Sequence, residues 1–162
     1  MNRAPHPAAP RAFQDDIPNN YCFGCGTLNP DGLHIKSHWA DGSAVCTWKP
    51  SPHHIAGPRQ ILNGGIIATV IDCHTVCTAI ADAYTREGRA IGDPPELWYA
   101  TAQLNIRYLR PTPIDRPVTL RAEILEAGAR KTVLRCHLSS EGEDRVAAEV
   151  VAVRVPPTWR EA

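Results

Sequence analysis

The chain has no surplus charge of either sign: 17 Lys and Arg balance 17 Asp and Glu, giving a formal net charge of zero and a pI near 7.0. Without a basic excess there is no broad electrostatic footprint for nucleic acid or an anionic membrane surface, and neither is expected as a partner. The opening Met1-Asn2-Arg3-Ala4-Pro5-His6-Pro7 lacks the apolar core of a secretory signal, and no stretch reads as a membrane span. A cytoplasmic protein with reduced thiols is therefore expected. Internal repeats and low-complexity blocks are also missing. What remains, 162 residues with 43% hydrophobic content, is enough for one domain with a real core and too little for two. A Pro-rich segment with little apolar content, residues 1–18, reads as a flexible tail, 19–156 as the single domain and 157–162 as a short C-terminal tail.

The most informative stretch is Asn63-Gly-Gly-Ile-Ile-Ala-Thr-Val-Ile-Asp72. Asn63 is a good helix N-cap, and apolar positions continue through Ile66, Ile67, Val70, Ile71, Val76, Ile80 and Ala83 until Gly88 offers a stop. This predicts one long helix with no broad solvated face, which other structure must enclose. Asp72 sits inside that apolar run. A carboxylate there must be neutral, well paired or functional. At the other end, Gly64 and Gly65 lie where backbone N–H groups lack intrahelical acceptors and the helix dipole favours negative charge.

Helix geometry then separates the two features. Eight positions at ~1.5 Å each put Gly64 and Asp72 about 12 Å apart along the axis. A carbonyl held at one helix start meets Asp72 only if a second copy supplies it, so an isologous homodimer with antiparallel helices is expected. A further pairing of dimers is left open.

Around the helix the pattern is extended. Leu33, Ile35, Ser37 and Trp39 alternate with polar residues, and Asp41-Gly42 leads into Val45, Cys46, Thr47 and Trp48, which predicts a hairpin. Residues 50–62 and 89–97 are rich in Pro and Gly and read as loops. Ala100, Ala102, Leu104, Ile106 and Tyr108 alternate with polar residues, as do Val118 to Ile124 and Val133 to Leu138, and residues 145–155 form a Val-rich run. Two strands, one buried helix and four strands imply an α+β fold: an antiparallel sheet wrapped around one central helix.

Three motifs in this order, Cys22-Phe-Gly-Cys25-Gly26 with Asn29-Pro30 and Gly32-Leu33, Asn63 to Asp72, and Thr101-Ala-Gln-Leu-Asn-Ile-Arg-Tyr-Leu-Arg-Pro111, resemble the hotdog-fold acyl-CoA thioesterases of the phenylacetate-pathway branch. The resemblance covers roughly residues 19–155. It implies hydrolysis of an acyl-CoA thioester, with Gly64 and Gly65 supplying a backbone donor to the carbonyl and Asp72 of the facing subunit acting as base or nucleophile. Thr101 would position the attacking water. The family commonly has His where this chain has Asn63. No cofactor is implied, since coenzyme A is part of the substrate. Asn63 and His54 are candidates for substrate contact, and Arg107 and Arg110, with Arg130 and Lys131, for the nucleotide phosphates.

Two other classes share the fold. A noncatalytic acyl-CoA-binding module would not depend on Asp72, and a hydratase or dehydratase would need a His paired with an acid. His74 stands two positions after Asp72, which on a helix turns it to another side. It reads as a packed or solvated histidine, and His53 and His54 as loop residues at a substrate entrance. Thr101 has a structural reading too, because strict alternation groups it with polar Gln103 and Asn105. Cys22 and Cys25 have zinc-knuckle spacing and His34 and His38 offer two more donors, but no second Cys-x-x-Cys exists and no metal is expected. Cys73 and Cys77, one turn apart on the helix, read as small apolar packing residues.

Overall fold

Residues 10–161 are described in the computed structural model of the protein. Helix α1 (Phe13–Asp16) precedes a hairpin of β1 (His38–Ala40) and β2 (Ser43–Trp48). Helix α2 (Gly64–Arg86) follows, then β3 (Trp98–Tyr108), β4 (Val118–Ala127), β5 (Lys131–Ser140), β6 (Glu143–Val155) and a closing 3₁₀ turn at Pro157–Glu161. The strands form one antiparallel sheet in the order β1-β2-β4-β5-β6-β3, and α2 lies against β3 to β6. This is the α+β architecture that the sequence predicts.

Local chemistry fixes the element ends. The Asn63 side chain accepts from Gly65 N–H at 2.8 Å and Ile66 N–H at 3.2 Å, satisfying two donors that a helix start leaves orphaned. At the far end Glu87 caps α2 and Gly88 turns the chain away with φ +68°. Two hairpins close on two-residue turns with positive φ at both positions, Asp41-Gly42 and Glu141-Gly142, the geometry that matches strand twist.

By length and hydropathy alone α2 would suit a membrane span, but 61% of its most apolar window is buried inside the fold. Val70, Ile71 and Ala79 are fully enclosed with Leu120, Leu134, Leu138 and Val150 of the sheet. Each of the Val, Ile and Leu side chains among them contributes roughly 1.5–3 kcal/mol by leaving water. α2 is the core of the domain.

Three expectations need correction. The predicted tail ends too late: Ala12, Phe13, Gln14 and Ile17 are buried, while residues 1–9 lie outside the described residues. The reason is a buried polar chain. Gln14 Nε2 donates to Ser37 Oγ (2.9 Å), Ser37 Oγ lies 2.8 Å from His74 Nδ1, and His74 Nε2 lies 3.1 Å from the Ala44 carbonyl. Ser37 N–H returns a bond to Gln14 Oε1 at 2.8 Å, and Phe13 N–H donates to the Ser37 carbonyl. The pattern closes if His74 is neutral and protonated at Nε2, and burial pushes its pKa down to about 4.

Secondly, the first strand is shorter than its alternation suggests. Leu33 and Ile35 are buried, but their N–H groups donate to the carbonyls of Phe23 and Gly24 in the preceding loop rather than to a strand. Thirdly, β3 contains a bulge between Thr101 and Gln103, so the inward parity changes at Ala102. Thr101 faces buried Ala152, whereas Leu104 and Ile106 face buried Val150 and Ala148. Strict alternation had placed Thr101 on the polar side.

Removing the Ser37 hydroxyl strands a buried imidazole nitrogen and a buried amide. Ser37→Ala should lower stability by about 1–3 kcal/mol in urea unfolding. An unchanged midpoint would remove this network from the account of how the N-terminal segment is held.

Candidate active site

Asp72 lies in the middle of α2, half-buried, and Thr101 Oγ1 donates to its Oδ1. The β3 bulge is what aims the threonine inward. Both residues line a cavity of about 320 Å³ whose other walls include Ile17, Val76, Ile80, Trp98 and Trp159. Burial pushes the Asp72 carboxyl above the usual carboxylate range, and the Thr101 hydrogen bond opposes this without cancelling it. The result is a carboxylate with one oxygen fixed and the other unassigned, in a mostly apolar chamber of the size that ligand sites occupy.

At the helix start only one of the two glycines keeps a spare donor. Gly65 N–H is held by Asn63 Oδ1, while among the described residues the Gly64 N–H donates to nothing. Tyr108 donates its hydroxyl to the Gly64 carbonyl at 2.7 Å, and a Cβ on Gly64 would stand 3.4 Å from the Tyr108 ring. That contact fixes the first turn of α2 to the end of β3. Tyr108 was legible in the sequence only as another strand residue, and nothing in the pattern pointed to its bond with the helix start.

Asn63 and Ile66 line a separate cavity of about 410 Å³ with Phe23, Asp31, His53 and His54. His54 stacks on Trp48, its Nδ1 accepts from Ser51 N–H at 3.1 Å, and its carbonyl accepts from Asn63 N–H at 2.9 Å. It shapes the loop before α2. No residue is common to the linings of the Asn63 and Asp72 cavities. One chain therefore holds the two halves of the expected chemistry apart, as the ~12 Å helix separation requires.

The remaining candidates lie elsewhere. Arg107 lines an outer groove with Asn105, Arg135, His137 and Glu149, and Arg110 pairs with Glu143 at 3.3 Å. Neither reaches the Asp72 cavity of its own chain. His74 is turned to Ser37 and Ala44 and does not pair with Asp72. His34 lies 2.5 Å from the Asn29 carbonyl, with no cysteine beside it in the cluster that does form. That cluster was not foreseen. Cys22, Cys25 and Cys73 place their sulfurs within 4.8 Å of one another, and Cys77 Sγ is 3.7 Å from Cys25 Sγ. The C-terminal turn was missed as well: Trp159, assigned to a tail, lines the Asp72 cavity.

Comparison with known proteins gives this arrangement a family. The thioesterase superfamily model matches residues 60–147, more than half of the chain, and the chain belongs to that superfamily. A thioesterase superfamily protein from Shewanella loihica is 32% identical, with a TM-score of 0.60 over 75% of this chain and 91% of its own. The PaaI protein of the Escherichia coli phenylacetic acid degradation operon has the same hotdog fold at 17% identity, with a TM-score of 0.62 over 76% of this chain and 81% of its own. Mouse acyl-coenzyme A thioesterase THEM4 is 31% identical over 100 residues, 62% of this chain but only 37% of the mouse protein. The chain thus spans little more than a third of that curated relative.

Loss of the Asn63 cap would free the Gly65 and Ile66 N–H groups. Asn63→Ala should cost about 0.5–2 kcal/mol of stability in thermal or urea unfolding. Asn63→Asp, which keeps a capping oxygen, should retain most of it; equal losses in the two variants would argue against capping as the role of Asn63.

Proposed function

We propose that the protein hydrolyses acyl-CoA thioesters at a site shared between two copies of the chain. The reading is carried by one observation: Asp72, fixed by Thr101 in a mostly apolar cavity, stands two helical turns past a helix start with a spare N–H. The mouse relative, named an acyl-coenzyme A thioesterase, supports coenzyme A as the carrier.

The sheet supports such an assembly. β3 is an edge strand of eleven residues, far longer than the other edge, β1, which has three. A long unpaired edge is a template for another chain, and pairing with its own twin would run the two α2 helices antiparallel. Gly64 of one protomer then approaches Asp72 of its partner.

The chemistry divides between the two. Asp72 takes a proton from water as the oxygen attacks the thioester carbonyl. Charge developing on the carbonyl oxygen is met by the Gly64 N–H, and one such preorganised donor is worth about 2.7–4 kcal/mol in the transition state. Thr101 holds Oδ1, leaving Oδ2 directed at the water. When the tetrahedral intermediate collapses, the C–S bond breaks and the departing thiolate receives the proton from Asp72. Free acid and thiol result, with no cofactor consumed. The elevated pKa direction of Asp72 suits a base. The apolar chamber between α2, Trp98 and Trp159 would take the acyl group.

Asp72→Asn should preserve fold and dimer while reducing kcat/KM by about 10²–10⁴-fold, measured as free-thiol release from a panel of aryl and fatty acyl-CoAs. Gly64→Pro deletes the spare N–H at the first helical position, where proline is tolerated, and should be similarly impaired. Co-assembly of the two inactive variants is the decisive measurement. A site shared between chains leaves each heterodimer with one intact centre, so activity returns; a site within one chain leaves none, and continued inactivity of the mixed dimer would overturn the proposal.

A further inference from the structure

We propose that Cys22, Cys25, Cys73 and Cys77 form a four-thiolate site for a zinc ion, joining the loop at residues 22–26 to the face of α2 beside the Asp72 cavity. The sequence offers the first pair at a spacing of three, and the helix presents the second pair at a spacing of four, on one side and one turn apart. Folding brings the pairs together. Cys22 Sγ and Cys73 Sγ are 3.5 Å apart, Cys25 Sγ and Cys77 Sγ are 3.7 Å apart, and Cys22, Cys25 and Cys73 all lie within 4.8 Å of one another. Tetrahedral zinc with Zn–S bonds of about 2.3 Å holds its sulfurs about 3.8 Å from each other. Cys22, Cys25 and Cys73 therefore stand near coordination spacing, while Cys77 is at that spacing from Cys25 and lies outside the mutual 4.8 Å group, so its side chain must swing in as the fourth ligand.

The loop is shaped to deliver its sulfurs. Gly26 N–H donates to the Cys22 carbonyl at 2.8 Å, and Cys22 N–H donates to Asn20 Oδ1 at 3.1 Å, which folds Cys22 and Cys25 into one tight turn. A Cβ on Gly26 would come within 2.4 Å of Cys22 N and 2.6 Å of the Asn20 carbonyl, so the turn needs glycine after its second cysteine. A Cβ on Gly24 would lie 2.3 Å from Cys73 Sγ, because the loop backbone is pressed against the helix sulfur. The Asn20 amide also donates to Cys25 Sγ at 3.5 Å, an outer hydrogen bond of the kind that orients a ligating thiolate.

Apolar packing explains this convergence less well. Packing asks only for small side chains, and Ala or Ser would serve on either segment. Four thiols meeting from two segments, with glycines cleared around them and an amide aimed at one sulfur, match a ligand set. Cys22 is exposed while the other three are buried, which gives the ion an entry path at the loop. Binding would replace four S–H protons, released to solvent, by four S–Zn bonds. The cavity wall formed by Cys22, Cys25 and Cys73 would then be rigid, and it is continuous with the wall that carries Asp72.

The test uses the full chain expressed without a His tag. Elemental analysis should find about one zinc per protomer, and Cys22→Ser and Cys77→Ser should each fall to a small fraction of that, since a four-thiolate site loses most of its affinity with one ligand gone. Cys136→Ser, a buried cysteine outside the cluster, should keep the full amount. Co²⁺ added to the metal-stripped protein should give thiolate-to-cobalt charge-transfer absorption and tetrahedral ligand-field bands, both absent in Cys22→Ser. Because Cys22 is on the surface, that variant should keep its far-UV circular dichroism and hence remain informative. Chelation of the wild-type protein should lower Tm, with zinc restoring it. Wild-type protein that neither carries zinc nor gives the cobalt spectrum would overturn the proposal. So would full zinc content in Cys77→Ser, or an intact mass two hydrogens light that maps to a Cys22–Cys73 disulfide.

Discussion

Everything in this domain turns on burying a single helix that carries a carboxylate. The sheet strands and α2 cover one another, and the one-turn helix α1 adds Phe13 to the same core. A helix enclosed in this way must satisfy each polar group along its length locally. It does so with a partner for each: Thr101 for Asp72, Ser37 and Ala44 for the two ring nitrogens of His74, and backbone carbonyls in the preceding turn for Thr75, Thr78 and Thr85. Of these, Asp72 lines the cavity of about 320 Å³ and the others do not. The same enclosure that stabilises α2 is what raises the cost of charge at Asp72 and makes it a basic carboxylate.

A second constraint is the helix rise. Because ~1.5 Å per residue cannot be compressed, no side-chain rearrangement within one chain brings the Gly64 N–H to Asp72. The two cavities with no common lining residue express that separation in space. A long free strand at the sheet edge next to both features offers a way to overcome it, since twofold pairing there reverses one helix against the other. The proposed catalysis and the proposed association would thus be two consequences of one geometry.

Much of this was legible in the sequence wherever periodicity and local capping decide. The Asn63 start, the Gly88 stop and the four long strands follow from side-chain pattern and from turns whose φ values only a few residues adopt, and the resemblance of the three motifs pointed to the same fold. The failures share a cause: they depend on contacts between distant segments. Leu33 and Ile35 look like strand residues, but their backbone partners are Phe23 and Gly24, which no local pattern reveals. Phe13 and Gln14 sit in a Pro-rich stretch of low apolar content, and only the remote pair Ser37 and His74 makes that stretch ordered. The parity of Thr101 was lost because a bulge inserts one residue without a composition signal.

The cysteines carry the same lesson into chemistry. Spacing along the chain exposes a ligand pair only when both members are neighbours in sequence, so Cys22 and Cys25 are visible as half a site and the sequence offers His34 and His38 as the nearest further donors. The fold instead recruits donors 51 and 52 residues away, from the helix that already carries Asp72. That choice ties the loop at residues 22–26 to α2 rather than to the surface. Cys73 follows Asp72 directly, so anything that fixes its sulfur fixes the adjacent peptide and the direction from which the carboxylate leaves the helix. A loop bound in this way would act on the site through backbone position as well as through Cys22 and Cys25, which line the Asp72 cavity.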